Sequence, residues 1–267
     1  MQISRSGAIF LRQIYLLRGS PARILPLFGW VAIDIVLWGF ITRYLNSVAQ
    51  SGFNFVPAIL GAVLLWDFFS RVMQGVTTAF FEDVWSRNFL NIFATPLSIW
   101  EYLLGLVLSS IFTSSFGLVV MLVLATFGFG LSFFMYGAML IPFLLVLFAF
   151  GIALGIVASA MVLRLGPAAE WFVWPIPALI SPFVGVFYPL SVLPVWMQTI
   201  SRVLPPSYVF ENMRKIVSGG SPSPAGLALG AGLVMVYIAA ACWYFASVYR
   251  RAVRTGLIAR YSAESVT

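Results

Sequence analysis

Apolar runs long enough to cross a bilayer alternate with short polar breaks along the chain, and the pattern predicts an all-α integral membrane protein of six transmembrane helices. The predicted spans are residues 24–42, 55–79, 103–129, 133–163, 171–193 and 225–249. The fourth, if fully helical, is about 46 Å long against a hydrocarbon core of about 30 Å, so it must tilt, kink near Pro142 or protrude. The fifth carries Pro175, Pro177, Pro182 and Pro189, with Pro194 just beyond. Proline removes backbone donors and frees carbonyls, so this span is predicted to be broken or re-entrant rather than one straight rod.

Three segments outside the spans are amphipathic. Within residues 1–20, Ile3, Phe10, Ile14 and Leu17 share a face at 100° per residue, with Arg5, Arg12 and Gln13 roughly opposite and Ile9 and Leu16 off pattern. This predicts an N-terminal helix lying in the cytoplasmic interface with its arginines toward the headgroups, ending near Gly19 and Pro21; a frayed basic tail is the plainer reading. The arginines also interrupt any apolar core of a cleaved signal peptide. Residues 80–98, FFEDVWSRNFLNIFATPLS, interleave Glu82, Asp83, Arg87, Asn88 and Asn91 with Phe81, Trp85, Phe89 and Phe93, which predicts an amphipathic helix outside the hydrocarbon, stopped near Thr95 and Pro96. Residues 194–224 contain VWMQTISRVL, residues 195–204, whose Trp196, Ile200, Val203 and Leu204 share one side, and read as an external segment; residues 250–267 form a basic tail.

Composition closes off alternatives. Hydrophobic residues make up 61% and charged residues 9%, with a mean hydropathy of +1.01, too few charges to cover a water-soluble surface. The net charge of +7 arises at segment ends rather than on one face, so it encodes topology and no nucleic-acid partner is expected. With both termini cytoplasmic, ten arginines lie inside, while Arg43, Arg202, Arg214 and Lys215 lie outside, as the positive-inside rule requires of a multi-pass protein of the cell inner membrane. The chain has no histidine and one cysteine, Cys242, so Cys/His zinc sites, histidine bases and internal disulfides are excluded; no catalytic or metal-ligating set is expected.

Asp34, Asp67 and Arg71 are the charges inside the first two spans. Asp67 and Arg71 are four residues apart on one helix face with the acid N-terminal, the better orientation for an ion pair. The pair either faces a polar pathway or neighbouring helix, or is a structural pair buried between helices. Gly151 with Gly155, and Gly226 with Gly230, have the small-residue spacing of close helix packing.

Two longer stretches carry a family resemblance. EDVWSRNFLNIFATPLSIWEYLLG, residues 82–105, resembles the cytoplasmic loop and following helix of type-2 ABC transporter permeases, and VFYPLSVLPVWMQTISRVLPPSYVFENMR, residues 186–214, resembles their external Tyr-Pro-Leu, Leu-Pro and amphipathic segment. Leu106 departs from the lysine often found there. The resemblance implies the membrane subunit of an exporter that forms its translocation path as a dimer, most simply of two identical copies among membrane lipids. A cytoplasmic ABC ATPase would dock on a coupling helix built from Glu82, Asp83, Trp85, Arg87, Asn88 and Asn91. ATP and Mg would bind that partner, because the single lysine, Lys215, has no GxxxxGK[ST] around it. Phe183, Phe187 and Tyr188 would line the pathway or its outer gate, with simple packing as the alternative role. An amphipathic or hydrophobic substrate such as a drug, lipid or lipid-linked glycan fits spans with so few polar groups. A secondary active transporter is the competing reading; it would show inverted repeats and ionisable residues in both halves, whereas the spans' charges here fall in the first two. A membrane-embedded lipid enzyme would need convergent acids, histidines or a nucleophile, and no such set occurs.

Overall fold

The computed structural model describes residues 2–49, 54–86, 88, 91–92 and 94–256. Helix accounts for 85% of the chain and no strand occurs among the described residues, so the protein is all-α. In chain order the helices are α1 (Ile3–Arg18), α2 (Pro21–Val48), α3 (Gly61–Trp85), α4 (Ile99–Phe129), α5 (Leu140–Leu165), α6 (Glu170–Val173), α7 (Ile176–Val184), α8 (Val195–Ser201), α9 (Pro205–Val217) and α10 (Pro224–Arg254). A π-turn over Val56–Leu60 leads into α3, and a 3₁₀ stretch over Phe133–Met139 into α5. Five of these segments are long and apolar enough to cross a membrane: Gly29–Val48, Val56–Trp85, Ile99–Phe129, Phe133–Leu165 and Pro224–Arg254.

The stretch 171–193, expected as a broken or re-entrant fifth span, is not one helix. It is divided among α6, α7 and a 3₁₀ turn at Leu190–Val192. Its prolines cannot donate to a helical ladder, and Gly185, at φ +67°, turns the chain where α7 ends. The turn is held from α9: Arg214 donates to the carbonyl of Gly185 and pairs with Glu211 at 2.7 Å, and Glu211 accepts from Leu190 N–H. The segment 194–224 is accordingly ordered into α8 and α9. Val209, Phe210 and Met213 of α9 are buried, while Trp196 and Val203 of the expected apolar side are more than half exposed.

The core follows α3, whose neighbours are α4 and α5, with α10 on the far side of α5. Close approach of α3 and α5 depends on Gly155. A Cβ there would stand 2.9 Å from the Met73 carbonyl oxygen and 2.8 Å from Val76 Cβ, and one at Gly151 would stand 3.0 Å from the Phe69 carbonyl oxygen. The backbone oxygens cannot swing aside as a side chain would. Gly155→Val should therefore destabilise the protein by about 1 to 3 kcal/mol through overpacking, read as an earlier thermal unfolding transition in detergent. Gly232→Ala, with open space around it, is the unaffected control.

Two expectations are corrected at the end of the molecule that carries α1. First, residues 80–85 do not belong to a separate amphipathic helix. They are the last turns of α3, because nothing from Gly61 to Trp85 interrupts the backbone ladder, and Phe80, Phe81 and Val84 are buried. Second, α1 turns Arg5 and Arg12 toward α3 and α4 rather than outward, while Arg18 is exposed. Ser6, Ile9 and Gln13 are its buried positions, and Ile3 and Tyr15 are exposed. The reason is tertiary: carboxylates from α3 and α4 stand within reach of Arg5 and Arg12, and Gly105 lets α1 come down onto α4, where a Cβ would meet Ile9 Cβ at 2.5 Å.

Candidate functional site

A cavity of about 610 Å³ with one polar wall opens among α1, α2, α3 and α4. Its longest wall is one face of α3, where Asp67, Ser70, Arg71, Gln74, Thr78 and Glu82 recur every three or four residues over about 22 Å of helix. Such a stripe within an apolar span costs free energy unless it faces protein or water. Asp34 of α2 and Ser109, Thr113 and Ser114 of α4 complete the polar wall, α1 contributes Gln13 and Leu17, and Trp30 and Trp174 add aromatic surface.

Arg71 feels the charge of both Asp67 and Asp34. The expected Asp67–Arg71 pair is thus a cluster of three charges facing the cavity. The Oδ2 of Asp67 is buried without a hydrogen-bond partner, as are Nε2 of Gln13 and Oγ of Ser114.

Beside the cavity, α1 is clamped to α3 and α4. Asp83, with no exposed surface, accepts from both arms of the Arg12 guanidinium, at 3.0 Å from Nη1 to Oδ2, and from the Tyr102 hydroxyl at 2.7 Å. The hydrogen bond to Asp83, aided by its charge, raises the pKa of Arg12 further above its ordinary value. Two turns earlier in α1, Arg5 stands 3.6 Å from Glu101 and donates to the Pro96 carbonyl, and Gln2 N–H donates to Glu101 at 2.7 Å. Glu101 closes a capping box with Ser98 at the start of α4, so one carboxylate caps α4 and receives α1.

The residues expected at a coupling helix are therefore dispersed. Glu82 faces the cavity, Asp83 is consumed by the clamp, and Trp85 is half-exposed, stacked on Phe81 with ring centroids 5.1 Å apart. Asn88 and Asn91 bond to each other at 3.2 Å on the surface, and Arg87 lies outside the described residues. Leu106, where a lysine was expected, is fully buried. Phe183, Phe187 and Tyr188 do not line the cavity. Phe187 stacks on Trp38 at 4.9 Å, toward the end of α2 away from α1; Phe183 meets Trp196 edge-on, and the Tyr188 hydroxyl donates to Pro182. Ser70, Gln74 and Thr78 were passed over in the sequence, although they continue the Asp67–Arg71 face at helical spacing.

Apolar crossings thus surround a polar stripe on α3. A family model for the ABC-2 type transporter matches residues 8–217, most of the chain. The chain belongs to that family. This ABC-2 permease is accordingly a multi-pass membrane protein of transport, and the matched region takes in α1, the cavity and α9. No curated protein matches the chain.

Proposed function

We propose that this ABC-2 permease is the membrane subunit of an ATP-driven exporter, working as a dimer with a second copy of itself and driven by a separate cytoplasmic ATPase that binds ATP and Mg. The observation that carries the reading is the course of α3: its polar face walls the cavity, and the same helix runs without a break to Trp85, at the edge of the segment before α4 where the ATPase would dock. Movement of that segment would be passed to the cavity wall through a rigid helix, and the Asp83 clamp would make α1 and α4 follow. In this arrangement the broken stretch 170–193 makes the remaining crossing, both termini are cytoplasmic, and α8 and α9 close the outer side. The family match and the inside excess of arginine support that orientation in the cell inner membrane.

At the end of α3 Trp85 is 48% exposed, and of the polar residues that follow it Asn91 is exposed and Asn88 half-buried, so these side chains have surface to offer a partner. An aromatic side chain of that kind is a common interface anchor. Co-expression with the candidate ATPase should yield a complex in mild detergent, and Trp85→Ala combined with Asn91→Ala should reduce the ATPase retained at least tenfold while leaving the permease monodisperse. Retention and transport unchanged in that variant would sink the docking assignment. Transport by the permease alone, driven by an ion gradient, would move the reading to a secondary active transporter.

A further inference from the structure

The cavity's charges do not balance, and its aromatic residues stand beside the excess. Asp34 and Asp67 share the charge of one lining cation, Arg71, and Glu82 adds a third carboxylate to the wall, so carboxylates outnumber cations in the lining. Asp67 keeps one acceptor oxygen buried and unbonded, which suits a cationic occupant; the Gln13 amide nitrogen, a donor, and the Ser114 hydroxyl are at least 96% buried and also unbonded, and would take an acceptor atom on the same molecule. Buried polar groups in that state call for a polar occupant. Trp30 lies one turn from Asp34 on the same side of α2, and Trp174 faces the same space. Indole faces next to carboxylates are the combination that attracts an organic cation and accommodates its hydrocarbon. The volume of about 610 Å³ is that of a small-molecule site.

We propose that the cavity is a binding site for amphiphilic organic cations, whose charge is met by Asp34 and Asp67 and whose apolar body lies against Trp30 and Trp174. This rests on the reading of the chain as a permease and names the substrate class its cavity selects. An anionic head is disfavoured because Arg71 is already opposed by two carboxylates; a neutral glycan head would leave the surplus carboxylate charge uncompensated.

The test uses the full-length permease in lipid nanodiscs with two ions of nearly the same shape and opposite charge, tetraphenylphosphonium and tetraphenylborate, with tryptophan fluorescence and displaceable radiolabel as readouts. Saturable phosphonium binding at least tenfold tighter than borate binding is expected, weakened about tenfold by Asp67→Asn and severalfold by Trp30→Phe. Equal or tighter borate binding, or the absence of saturable phosphonium binding to the wild-type protein, would overturn the proposal without reliance on any variant's folding. So would Asp34→Asn and Asp67→Asn both leaving phosphonium affinity unchanged. Because no ATPase is present, a failure here with the ATPase still docking removes the substrate class alone, whereas cation binding without docking removes the ATP-driven reading alone.

Discussion

Arg12→Met should destabilise the protein more than Asp83→Asn, by about 3 to 5 kcal/mol if α1 stays in place. The asymmetry follows from exposure. Arg12 keeps 28% of its side chain in contact with solvent, so without Asp83 its guanidinium can turn to water. Asp83 has no exposed surface, and without Arg12 its carboxylate is left with the Tyr102 hydroxyl. One escape is open: α1 can lift away and let water in, which caps the cost at the free energy that docks α1. The two outcomes are separable by measuring thermal unfolding together with proteolysis at the α1–α2 junction near Gly19. Arg12→Met combined with Asp83→Leu should recover most of the loss, as replacing both members of a buried pair does, and a double-mutant cycle gives their coupling. Equal effects of Arg12→Met and Asp83→Asn, with no coupling, would mean that the clamp does not hold α1.

Loss of Arg71 should be the most damaging change within the cavity. Arg71→Leu would strand Asp34 and Asp67 in apolar spans with no cation in the lining, and an ionised side chain at a helix centre costs about 2.5 to 3.5 kcal/mol on the insertion scale. The expected result is a severalfold fall in folded protein recovered from the membrane, quantified by fluorescence-detected size exclusion. Adding Asp67→Asn should restore most of that protein by removing one of the stranded charges, while transport stays impaired because the polar face of α3 has been stripped. If the double variant is recovered no better than Arg71→Leu, the charge cluster is not what limits assembly.

The apolar runs make the long crossings legible because length and hydropathy are local properties. The prolines of 171–193 likewise announce a broken path, and the fold divides that stretch into α6, α7 and a turn. Asp67 and Arg71 could be placed on one face from spacing alone. The extension of that face through Ser70, Gln74, Thr78 and Glu82 was equally local, but single hydroxyl and amide residues in a span draw little notice until their common direction is seen. The function of Asp83 could not be read in this way. A carboxylate after an apolar span, next to aromatics, looks like a surface contact; what buries it is an arginine 71 residues earlier. The same partner inverts the expected face of α1, since amphipathicity ranks a helix's faces by affinity for water and carries no information about a carboxylate waiting elsewhere in the chain.

That clamp also sets a schedule for biogenesis. The hydrogen bonds of α1 reach forward 71 residues from Arg12 to Asp83 and 99 residues from Gln2 to Glu101. During synthesis α1 emerges before either carboxylate exists, so these contacts cannot form until α3 and the start of α4 have been made. Only when the start of α4 has left the ribosome can Arg5, Arg12 and Gly105 bring the three helices together. The earliest-made helix of the bundle is thus fastened last among the first four, and its docking reports that the α3–α4 hairpin has been inserted in the right register.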